Sequence, residues 1–526
     1  MATSPAPPPD SPAPSSTSPA SSSTSPAAPA APAPRLRRPV RRALAGIGLA
    51  LTALVAVLLV RAATLTSRQV EVPPVTDLAV DEARIAERLS RALTFETISR
   101  QDRQADLAPF TALHAALAEM YPRAHAALPR EIVAGGSLLY TWRGLDPGKF
   151  PVLLMGHLDV VPVEPGTEAA WQKPPYSGAI EGGFVWGRGA LDCKGPVVAM
   201  LEAAELLIAQ GFTPARTVYL AFGHDEEIGG HAGARAIAEK LRASGVRLEY
   251  VIDEGLFITE GITPGVSAPV ALVGVAEKGY VTVELAVDGQ GGHSSIPPRP
   301  TPAGILARAI GRLEDRPLPA HLEGPASLML DTLGPEMGFA TRLGVANRWL
   351  LAPVLVDQLS RAPATDALLR TTTAPTMLEG SVKENVLPKR VRAIVNFRVH
   401  PADTVERVLA HVRATVDDAR VSMRALPETR SEPSPVSPTD APGYRSIERT
   451  LRGVFPGTVV APSLMLGGTD TKHYLPLSAN VYRFSPLRVR AEDLGRFHGT
   501  SERIATKDLA QAARFYAQLV RDTGAL

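Results

Sequence analysis

The amino-acid sequence predicts an α/β fold: a mixed sheet with helices on both faces, an inserted α+β domain with an antiparallel sheet, and an N-terminal transmembrane helix. Three observations lead to this prediction. Short apolar strands alternate with helical patterns between residues 151 and 252, as in α/β sheets. From Gly279 onward, apolar and polar residues alternate along the strands, which is typical of half-exposed antiparallel sheets. A long uncharged run lies near the N-terminus.

The composition excludes several classes of protein. The 526 residues include 55 basic and 53 acidic side chains, giving a formal net charge of +2. This balance argues against a strongly basic nucleic-acid-binding protein, so we predict no nucleic-acid partner. The single cysteine, Cys193, excludes an intramolecular disulfide framework and a cysteine-rich zinc module. Any metal ion must therefore be bound by histidine, aspartate and glutamate.

The first 80 residues are predicted to form three segments. Residues 1–42 are rich in proline, alanine and serine, end in a cluster of arginines, and are predicted to be a disordered tail. Residues 43–60 carry no charge and, at about 1.5 Å per residue, span roughly 27 Å, near the thickness of a hydrocarbon core. They predict a transmembrane anchor, and residues 61–80 predict a tether.

The distribution of arginines around the uncharged run predicts its orientation. Five arginines precede the run, and Arg61 and Arg68 follow it. The positive-inside rule therefore places the N-terminus in the cytoplasm and the rest of the chain outside it. A cleaved leader and a secreted product are the alternative, since Ala62 and Ala63 offer a cleavage site.

The remaining chain is predicted to form two domains. Residues 81–278 and 429–526 build the α/β domain, and residues 279–428 build the inserted domain. The segment 318–375, which is rich in leucine, proline and threonine, receives no assignment. The predicted strands are 151–155, 217–222, 248–252, 281–287, 391–399 and 421–425, and the predicted helices that follow or separate them include 196–210, 232–243, 302–313 and 404–417.

Histidine and carboxylate residues follow each of the first three predicted strands, and one further aspartate precedes a helix. These residues are His157, Asp159, Asp192, Glu226, Glu227 and Asp253. Sites in open α/β sheets form at the carboxyl ends of strands, so we expect these side chains to converge. One imidazole with several carboxylates suits Zn²⁺ first, with Mn²⁺ or Co²⁺ as substitutes. The carboxylates suffice for two metal ions, and His498 offers a second imidazole.

The residues around these positions resemble a known family. The motifs are, in chain order, GHLDVVPV, WGRGALDCKG, GHDEEIGG, DEG, GGHSSIPP, KENVLP, GGTDTKHY and HGTSERI. Together they resemble the co-catalytic dinuclear zinc exopeptidases that include glutamate carboxypeptidase, aminoacylase and carnosinase. Within this family, the chain is most similar to the branch of Gly-X carboxypeptidase and N-fatty-acyl-amino-acid synthase/hydrolase. The resemblance covers roughly residues 80–526.

The resemblance implies which residues bind the two zinc ions. His157 and Asp253 are expected to bind one metal ion, and Glu227 and His498 are expected to bind the other. Asp192 is expected to bridge the two ions. This ligand set is what the family implies for the matched positions.

The resemblance also implies the residues that act beside the metal ions. Asp159 is expected to orient the imidazole of His157, and Glu226 is expected to be the general base. The peptide bond between Asp192 and Cys193 is expected to be cis, as in the family. We expect the thiol of Cys193 to be a buried bystander rather than a ligand.

The inserted domain is implied to be a lid that supplies substrate-binding groups and dimerises. His293 resembles the family histidine that polarises the scissile carbonyl, often from the second subunit of a homodimer. Asn385 resembles a substrate-contacting amide, and Arg398 resembles the residue that grips a free α-carboxylate. The backbone N–H groups of Gly468 and Thr469 are expected to complete the carboxylate pocket.

These expectations describe a membrane-anchored dinuclear-metal amidohydrolase or carboxypeptidase. It is expected to cleave the amide that links an acyl or aminoacyl group to a C-terminal free amino acid. Hydrolysis is reversible, so condensation is expected where concentrations favour it. An anchored dipeptidase of narrow specificity is one alternative, and a catalytically dead binding protein is the other. An apolar channel would favour N-acyl substrates, and residues 325–355 could provide it.

Overall fold

The computed structural model describes residues 38–101 and 106–525. The chain separates into two units, one ending at Val57 and the other running from Leu58 to Leu526. Residues 1–37 of the predicted tail lie outside the described residues. The helices, in chain order, are α1 (Arg38–Ala63), α2 (Glu82–Leu93), α3 (Ala108–Met120), α4 (Pro122–Ala127), α5 (Lys194–Ala209), α6 (Ala234–Ala243), α7 (Pro302–Asp315), α8 (Pro325–Leu333), α9 (Phe339–Ala346), α10 (Arg348–Leu359), α11 (Pro363–Leu369), α12 (Val405–Val416), α13 (Pro442–Val454) and α14 (Thr506–Asp522).

Strands account for most of the remaining regular structure. The strands are β1 (Arg130–Val133), β2 (Ser137–Trp142), β3 (Val152–His157), β4 (Ile180–Glu181), β5 (Phe184–Trp186), β6 (Val218–Gly223), β7 (Tyr250–Thr259), β8 (Val270–Glu277), β9 (Gly279–Asp288), β10 (Gly292–His293), β11 (Thr372–Glu379), β12 (Val386–Leu387), β13 (Arg390–Val399), β14 (Val421–Ala425), β15 (Val459–Met465), β16 (Val481–Val489) and β17 (Arg503–Ala505).

Among the described residues, α1 is the one helix long and apolar enough to cross a membrane, judged by length and composition. It contains the predicted anchor, residues 43–60, and extends beyond both ends of it. Residues 38–42, predicted to belong to the disordered tail, are helical instead. A helix continues beyond the uncharged run because the flanking arginines are good helix formers.

The main sheet has eight strands in the order β1-β2-β6-β3-β7-β16-β8-β15 and contains both parallel and antiparallel pairs. Successive side chains of a strand point to opposite faces, so each strand contributes to two cores. Val152 and Leu154 of β3 join the core that includes α5 and α14, whereas Leu153 and Met155 join the core that includes α6. The predicted mixed sheet with helices on both faces is therefore confirmed.

The second sheet is antiparallel, with strand order β11-β13-β9-β14. Its predicted strands correspond to β9, β13 and β14. Every second residue of β9 enters one apolar core, which α7 and α12 cover. In the sequence, this sheet comes between two segments of the chain that both contribute strands to the main sheet.

The unassigned segment 318–375 forms four helices, α8 to α11, and the start of β11. Each of these helices is short, and Pro353 lies inside α10. Short helices separated by prolines show little periodicity, which explains why the sequence pattern did not reveal them.

Candidate active site

A cavity of about 800 Å³ lies at the carboxyl end of the central strands, and six of the predicted site residues border it: Asp192, Glu226, Glu227, Arg398, Gly468 and His498. His157 is the last residue of β3 and lies opposite Gly223, the last residue of β6, in the parallel ladder. Glu226 and Glu227 follow Gly223 in a short 3-10 helix. The parallel register therefore places both glutamates beside the imidazole of His157, as expected for neighbouring strand ends.

Asp192 lies between the two imidazoles. Its Oδ1 is 2.9 Å from Nε2 of His157, and its Oδ2 is 3.2 Å from Nε2 of His498. Each oxygen of one carboxylate thus faces a different imidazole, although the two histidines are far apart in the sequence. The Asp192–Cys193 peptide bond is cis, as predicted.

The loop that carries Asp192 is held by a glutamate that the sequence analysis missed. Glu502 is fully buried and accepts hydrogen bonds from the backbone N–H groups of Gly189, Leu191 and Asp192. The guanidinium of Arg188 donates to the same carboxylate at 2.9 Å. Glu502 follows His498 in the HGTSERI motif, so one segment supplies both an imidazole and the support of the opposite loop.

Glu227 completes the side of the cluster near His498. Its Oε2 is 3.3 Å from Nε2 of His498, and its other oxygen is buried without a hydrogen-bond partner in the described chain. A buried carboxylate oxygen without a donor is costly unless a cation or proton reaches it.

The structure corrects the expected partner of His157 in the DEG motif. Glu254, not the predicted Asp253, lies beside His157, with Oε1 3.3 Å from Nε2. Both residues lie inside β7, which continues past the predicted strand end, and neighbouring side chains of a strand point to opposite faces. Only one of the two can therefore reach His157. The carboxylate of Asp253 instead accepts the backbone N–H of Glu254.

Asp159 connects His157 to the two glutamates. Its Oδ1 is 3.3 Å from Nδ1 of His157, the ring nitrogen that faces away from Asp192. Its two carboxylate oxygens accept the backbone N–H groups of Glu226 and Glu227, each at 3.1 Å. Burial opposes ionisation of Asp159, but the hydrogen bond and charge of His157 hold its pKa below the ordinary value. One carboxylate therefore orients three residues of the cluster.

Glu226 borders the cavity beside the cluster. Burial raises the pKa of this carboxyl well above its ordinary value, and the charges of Glu254, Asp470 and Glu227 raise it further, against the opposing effect of His157. A carboxyl group with a raised pKa can accept and release protons near neutral pH, which suits a general base.

The protonation of the cluster reflects its concentration of negative charge. Burial raises the pKa values of Glu227 and Glu254. Hydrogen bonds to Asp192 and Glu227 raise the pKa of His498 to about 10. Without a cation, protons must neutralise these carboxylates, so the set of donors fits metal ions.

Two overlapping groups of described residues could hold a metal ion. One is His157, Asp192 and Glu227, and the other is His157, Cys193 and Glu254; within each, the ligand atoms lie within 4.8 Å of one another. Burial raises the pKa of the Cys193 thiol well above its ordinary value, so the sulfur keeps its proton. The bystander role of Cys193 stays a prediction, because its sulfur belongs to one of these two groups.

The opposite side of the cavity carries positive charge. Arg398 borders it, and its guanidinium lies 4.5 Å from the ring centre of Tyr280. Lys278, which the sequence analysis did not select, also borders the cavity, and burial lowers its pKa to about 7. Gly468 borders the cavity as expected, with Gly467 beside it.

Thr469 does not offer its N–H group to the cavity. Both its backbone nitrogen and its hydroxyl donate to Oε2 of Glu277, at 3.2 and 2.9 Å. The side chain is buried behind the cavity wall. The predicted contribution of Thr469 to a carboxylate pocket is therefore not found, because Glu277 already occupies its donors.

His293 and Asn385 lie together but do not border the cavity of this chain. His293 belongs to β10, which pairs with β12, and the backbone N–H of Ser294 donates to the carbonyl of Asn385. We call this pair of strands the His293 ribbon. The His293 side chain is exposed and bonds Ser295 Oγ at 2.8 Å.

Residues 153–522 match the family model described as peptidase family M20/M25/M40. The chain belongs to this family. The match begins in β3, after β1 and β2 of the main sheet, and it includes the whole second sheet and every residue of the cluster.

Curated relatives extend the similarity over most of the chain. The N-fatty-acyl-amino acid synthase/hydrolase PM20D1 of Xenopus tropicalis is 39% identical over 489 residues, covering 91% of this chain and 94% of the relative. The probable carboxypeptidase S-like 2 of Dictyostelium discoideum is 40% identical, covering 84% and 86% of the two chains. The protein described here is accordingly an amidohydrolase of the carboxypeptidase type that acts on peptide or N-acyl amide bonds.

A solved structure of the family has the same fold. The M20 family metallo-carboxypeptidase Sso-CP2 from Sulfolobus solfataricus superposes with a TM-score of 0.62, covering 85% of this chain and all of that one. The two sequences are 18% identical, so this similarity concerns the fold alone. The family is metal-dependent, which agrees with the donor groups described above.

Proposed function

We propose that this protein is a membrane-anchored dinuclear zinc hydrolase that cleaves N-acyl amino acids and Gly-X type peptides at the amide of the C-terminal amino acid. The observation that carries the proposal is the position of Asp192, whose two oxygens face His157 and His498. A carboxylate shared between two imidazole sites is what two metal ions about 3.5–4 Å apart require.

The proposed ligands divide into two sets around Asp192. His157 and Glu254 hold one ion, and Glu227 and His498 hold the other. Imidazole and carboxylate donors suit Zn²⁺, and Mn²⁺ or Co²⁺ can replace it in such a set. Asp159 keeps Nε2 of His157 directed at the ion because it engages the other ring nitrogen.

The proton transfers are assigned to Glu226. When bound, the two ions supply positive charge that acidifies a water molecule and polarises the scissile carbonyl. Glu226 takes the proton of the attacking water and delivers it to the nitrogen of the leaving amine. Its position on the wall of the cavity, beside the cluster, supports this role.

The free carboxylate of the substrate is assigned to Arg398. Among the described residues, no carboxylate forms an ion pair with Arg398, so its guanidinium is available for a bidentate contact. The N–H of Gly468 and the charge of Lys278 support the same end of the cavity. The stacked rings of Phe257 and Phe497, 4.8 Å apart, give the cavity an apolar wall for the acyl side.

The second sheet is assigned the role of a lid that dimerises. His293 and Asn385 must reach a cavity that they do not border in one chain, and a second copy of the chain can supply them. Exposed apolar side chains in the loop after β10 and on the edge strand β11 support a contact there, among them Ile296 at 84% and Leu378 at 69% exposure.

The uncharged run of α1 is assigned to a membrane, with the N-terminus in the cytoplasm and the hydrolase outside it. The arginines on the N-terminal side support this orientation. A cleaved leader would instead release the protein, and mass spectrometry of the mature N-terminus distinguishes the two outcomes.

Glu226→Gln tests the proposed mechanism. Glutamine keeps the shape of the side chain but cannot carry the proton, so kcat should fall by about 100- to 10,000-fold. Bound metal, measured by plasma mass spectrometry, should stay at two ions per chain. Glu168→Gln, on an exposed glutamate, is the matched control and should leave kcat unchanged. Normal turnover by Glu226→Gln would exclude Glu226 as the base.

A substrate panel separates the two substrate classes. N-fatty-acyl amino acids and Gly-X dipeptides are assayed with and without a chelator, and free amino acid is measured. Hydrolysis that stops with chelator and returns with zinc supports the proposal. Turnover of peptides alone would favour the anchored dipeptidase, and no turnover of either class would favour a binding protein.

A further inference from the structure

Helix α10 is apolar but not buried. Between Arg348 and Asp357 its sequence is WLLAPVLV, and none of its residues is buried in the structure. A helix that is apolar on all sides is normally found inside a protein core or in contact with lipid. The protein body does not supply that core for α10.

The most exposed apolar side chains of α10 and the start of α9 form what we call the α9–α10 patch: Phe339, Trp349, Leu350 and Val354. Their exposures are 55%, 61%, 42% and 56%. Leu350 and Val354 are four positions apart and therefore lie on one side of the helix. Exposed apolar groups of this size mark an interaction surface.

The connection between α9 and α10 is hydrogen-bonded to the C-terminal end of the uncharged run and to the arginine that follows it. Asn347 is fully buried, and its Nδ2 donates to the carbonyl oxygen of Leu58 at 3.0 Å. Nε of Arg61 donates to the carbonyl oxygen of Ala346 at 3.1 Å. The contacts of Leu58 and Arg61 therefore place this connection beside residue 60, where the uncharged run ends.

We propose that the α9–α10 patch lies in the interfacial layer of the bilayer that α1 crosses. The inference rests on the membrane anchor proposed above. The uncharged stretch of α10 is only about 12 Å long at 1.5 Å per residue, too short to span a hydrocarbon core. A short apolar helix of this kind lies along the membrane surface, with tryptophan at the level of the headgroups.

The patch binds lipid through apolar contact rather than charge. The charged residues that flank α10 are paired within the protein: Arg348 with Asp331, and Arg361 with Asp357. Binding should therefore not require anionic lipid and should survive high salt, because little electrostatic attraction is available to screen.

Tryptophan fluorescence offers a direct test, because Trp349 is exposed whereas Trp142, Trp171 and Trp186 are buried. The full chain is reconstituted in phosphatidylcholine vesicles, recovered by flotation, and compared in vesicles whose lipid is brominated near the headgroup. Bromine quenches only tryptophans that it approaches closely. The wild type should lose emission in brominated vesicles at both low and high salt, and Trp349→Phe should lose none.

Two pairs of variants control the measurement. Trp142 lies in β2, near one edge of the main sheet, whereas β15, which packs against α8, forms the opposite edge. The Trp142→Phe variant should therefore keep the quenching. Val354→Glu should weaken it by adding charge to the patch, whereas Ile132→Glu, at an exposed position of β1, should not.

Three results would overturn the inference. Quenching could be absent, or it could persist in Trp349→Phe, and in either case the patch does not meet lipid. The chain could also fail to float, which would remove the anchor as well. Hydrolysis of a soluble substrate by the same preparation is measured separately, so a failed hydrolase is distinguished from a failed membrane contact.

Discussion

The candidate metal cluster at the edge of the main sheet and the His293 ribbon, a separate two-stranded sheet, differ in how many of their proposed partners one chain supplies. In the cluster, His157 and Asp159 are buried, and Asp192 contacts both imidazoles. In the ribbon, His293 is exposed and bonds a serine of its own loop. The sheet edge thus brings the proposed metal ligands together within one chain, whereas the proposed carbonyl-polarising histidine does not border the cavity of its own chain.

Replacing Glu254 of the DEG motif has the largest expected effect, because it removes a proposed metal ligand. Glu254→Gln should lower the metal content. It should reduce activity by more than about 10- to 100-fold, which is the usual loss when a residue that only supports a ligand is replaced. Asp253→Asn should reduce activity by no more than this factor. Metal content by plasma mass spectrometry and kcat/KM measure both. If Asp253→Asn lost the metal and Glu254→Gln kept it, the assignment of Glu254 as the ligand would be wrong.

Replacing His293 tests the proposed role of the His293 ribbon in catalysis. His293→Ala should lower kcat by about 100- to 1,000-fold, the usual effect of losing a group that stabilises an oxyanion. The metal content should not change, because no ligand is altered. A loss of metal would instead indicate that His293 affects metal binding by the cluster.

Mixing two inactive variants asks whether His293 acts across a dimer. When Glu226→Gln and His293→Ala chains are unfolded together and refolded, mixed dimers contain one site with both residues intact. The activity of the mixture should rise well above the residual activity of either variant refolded alone. A mixture that stays inactive while forming dimers would place His293 in its own chain's site.

Replacing the carboxylate behind His157 should have a smaller effect. Asp159→Asn should weaken metal affinity and activity by about 10- to 100-fold, because His157 loses the charged partner of Nδ1 and keeps only the bond to the backbone carbonyl of residue 159. Asp225→Asn is the matched control, since Asp225 accepts the N–H groups of Ala232 and Gly233 in the same loop. It should lower thermal stability without altering metal affinity in a titration.

The smallest expected effect is a pH dependence of the metal-free protein. His498 has a pKa of about 10 beside Asp192 and Glu227, against an ordinary value of 6.5, so its proton stabilises the fold fully below pH 6.5. That stability is lost as the pH rises towards 10. Its side chain is 54% exposed, which keeps the effect small. The thermal midpoint of chelated protein should fall over this range, and that of chelated His498→Gln should fall less.

Several features of the site could be predicted because they depend on local pattern. A strand followed by histidine or paired glutamates predicts the sheet edge that carries His157, Glu226 and Glu227, and parallel strands meet there whatever surrounds them. The motif around Asp192 marked its helix start. The helices of residues 318–375 could not be predicted, because their few turns and internal proline leave little periodicity.

Other features depended on contacts that no local pattern contains. The direction of Asp253 and Glu254 depends on where β7 begins and on its register with β16, which shifts beside this pair. The donors of Thr469 are taken by Glu277, which lies far away in the sequence. The burial of Glu502 follows from the loop that closes over it.

The sequence by itself determined the mixed α/β sheet, the apolar N-terminal helix and the chemical types of the metal donors, since each follows from spacing, hydropathy or residue identity within a short stretch. Only the tertiary structure decided which neighbouring carboxylate meets His157, which backbone donors stay free, and where an apolar helix is left uncovered. Strand register and helix packing decide these questions, because both bring together residues that are distant along the chain.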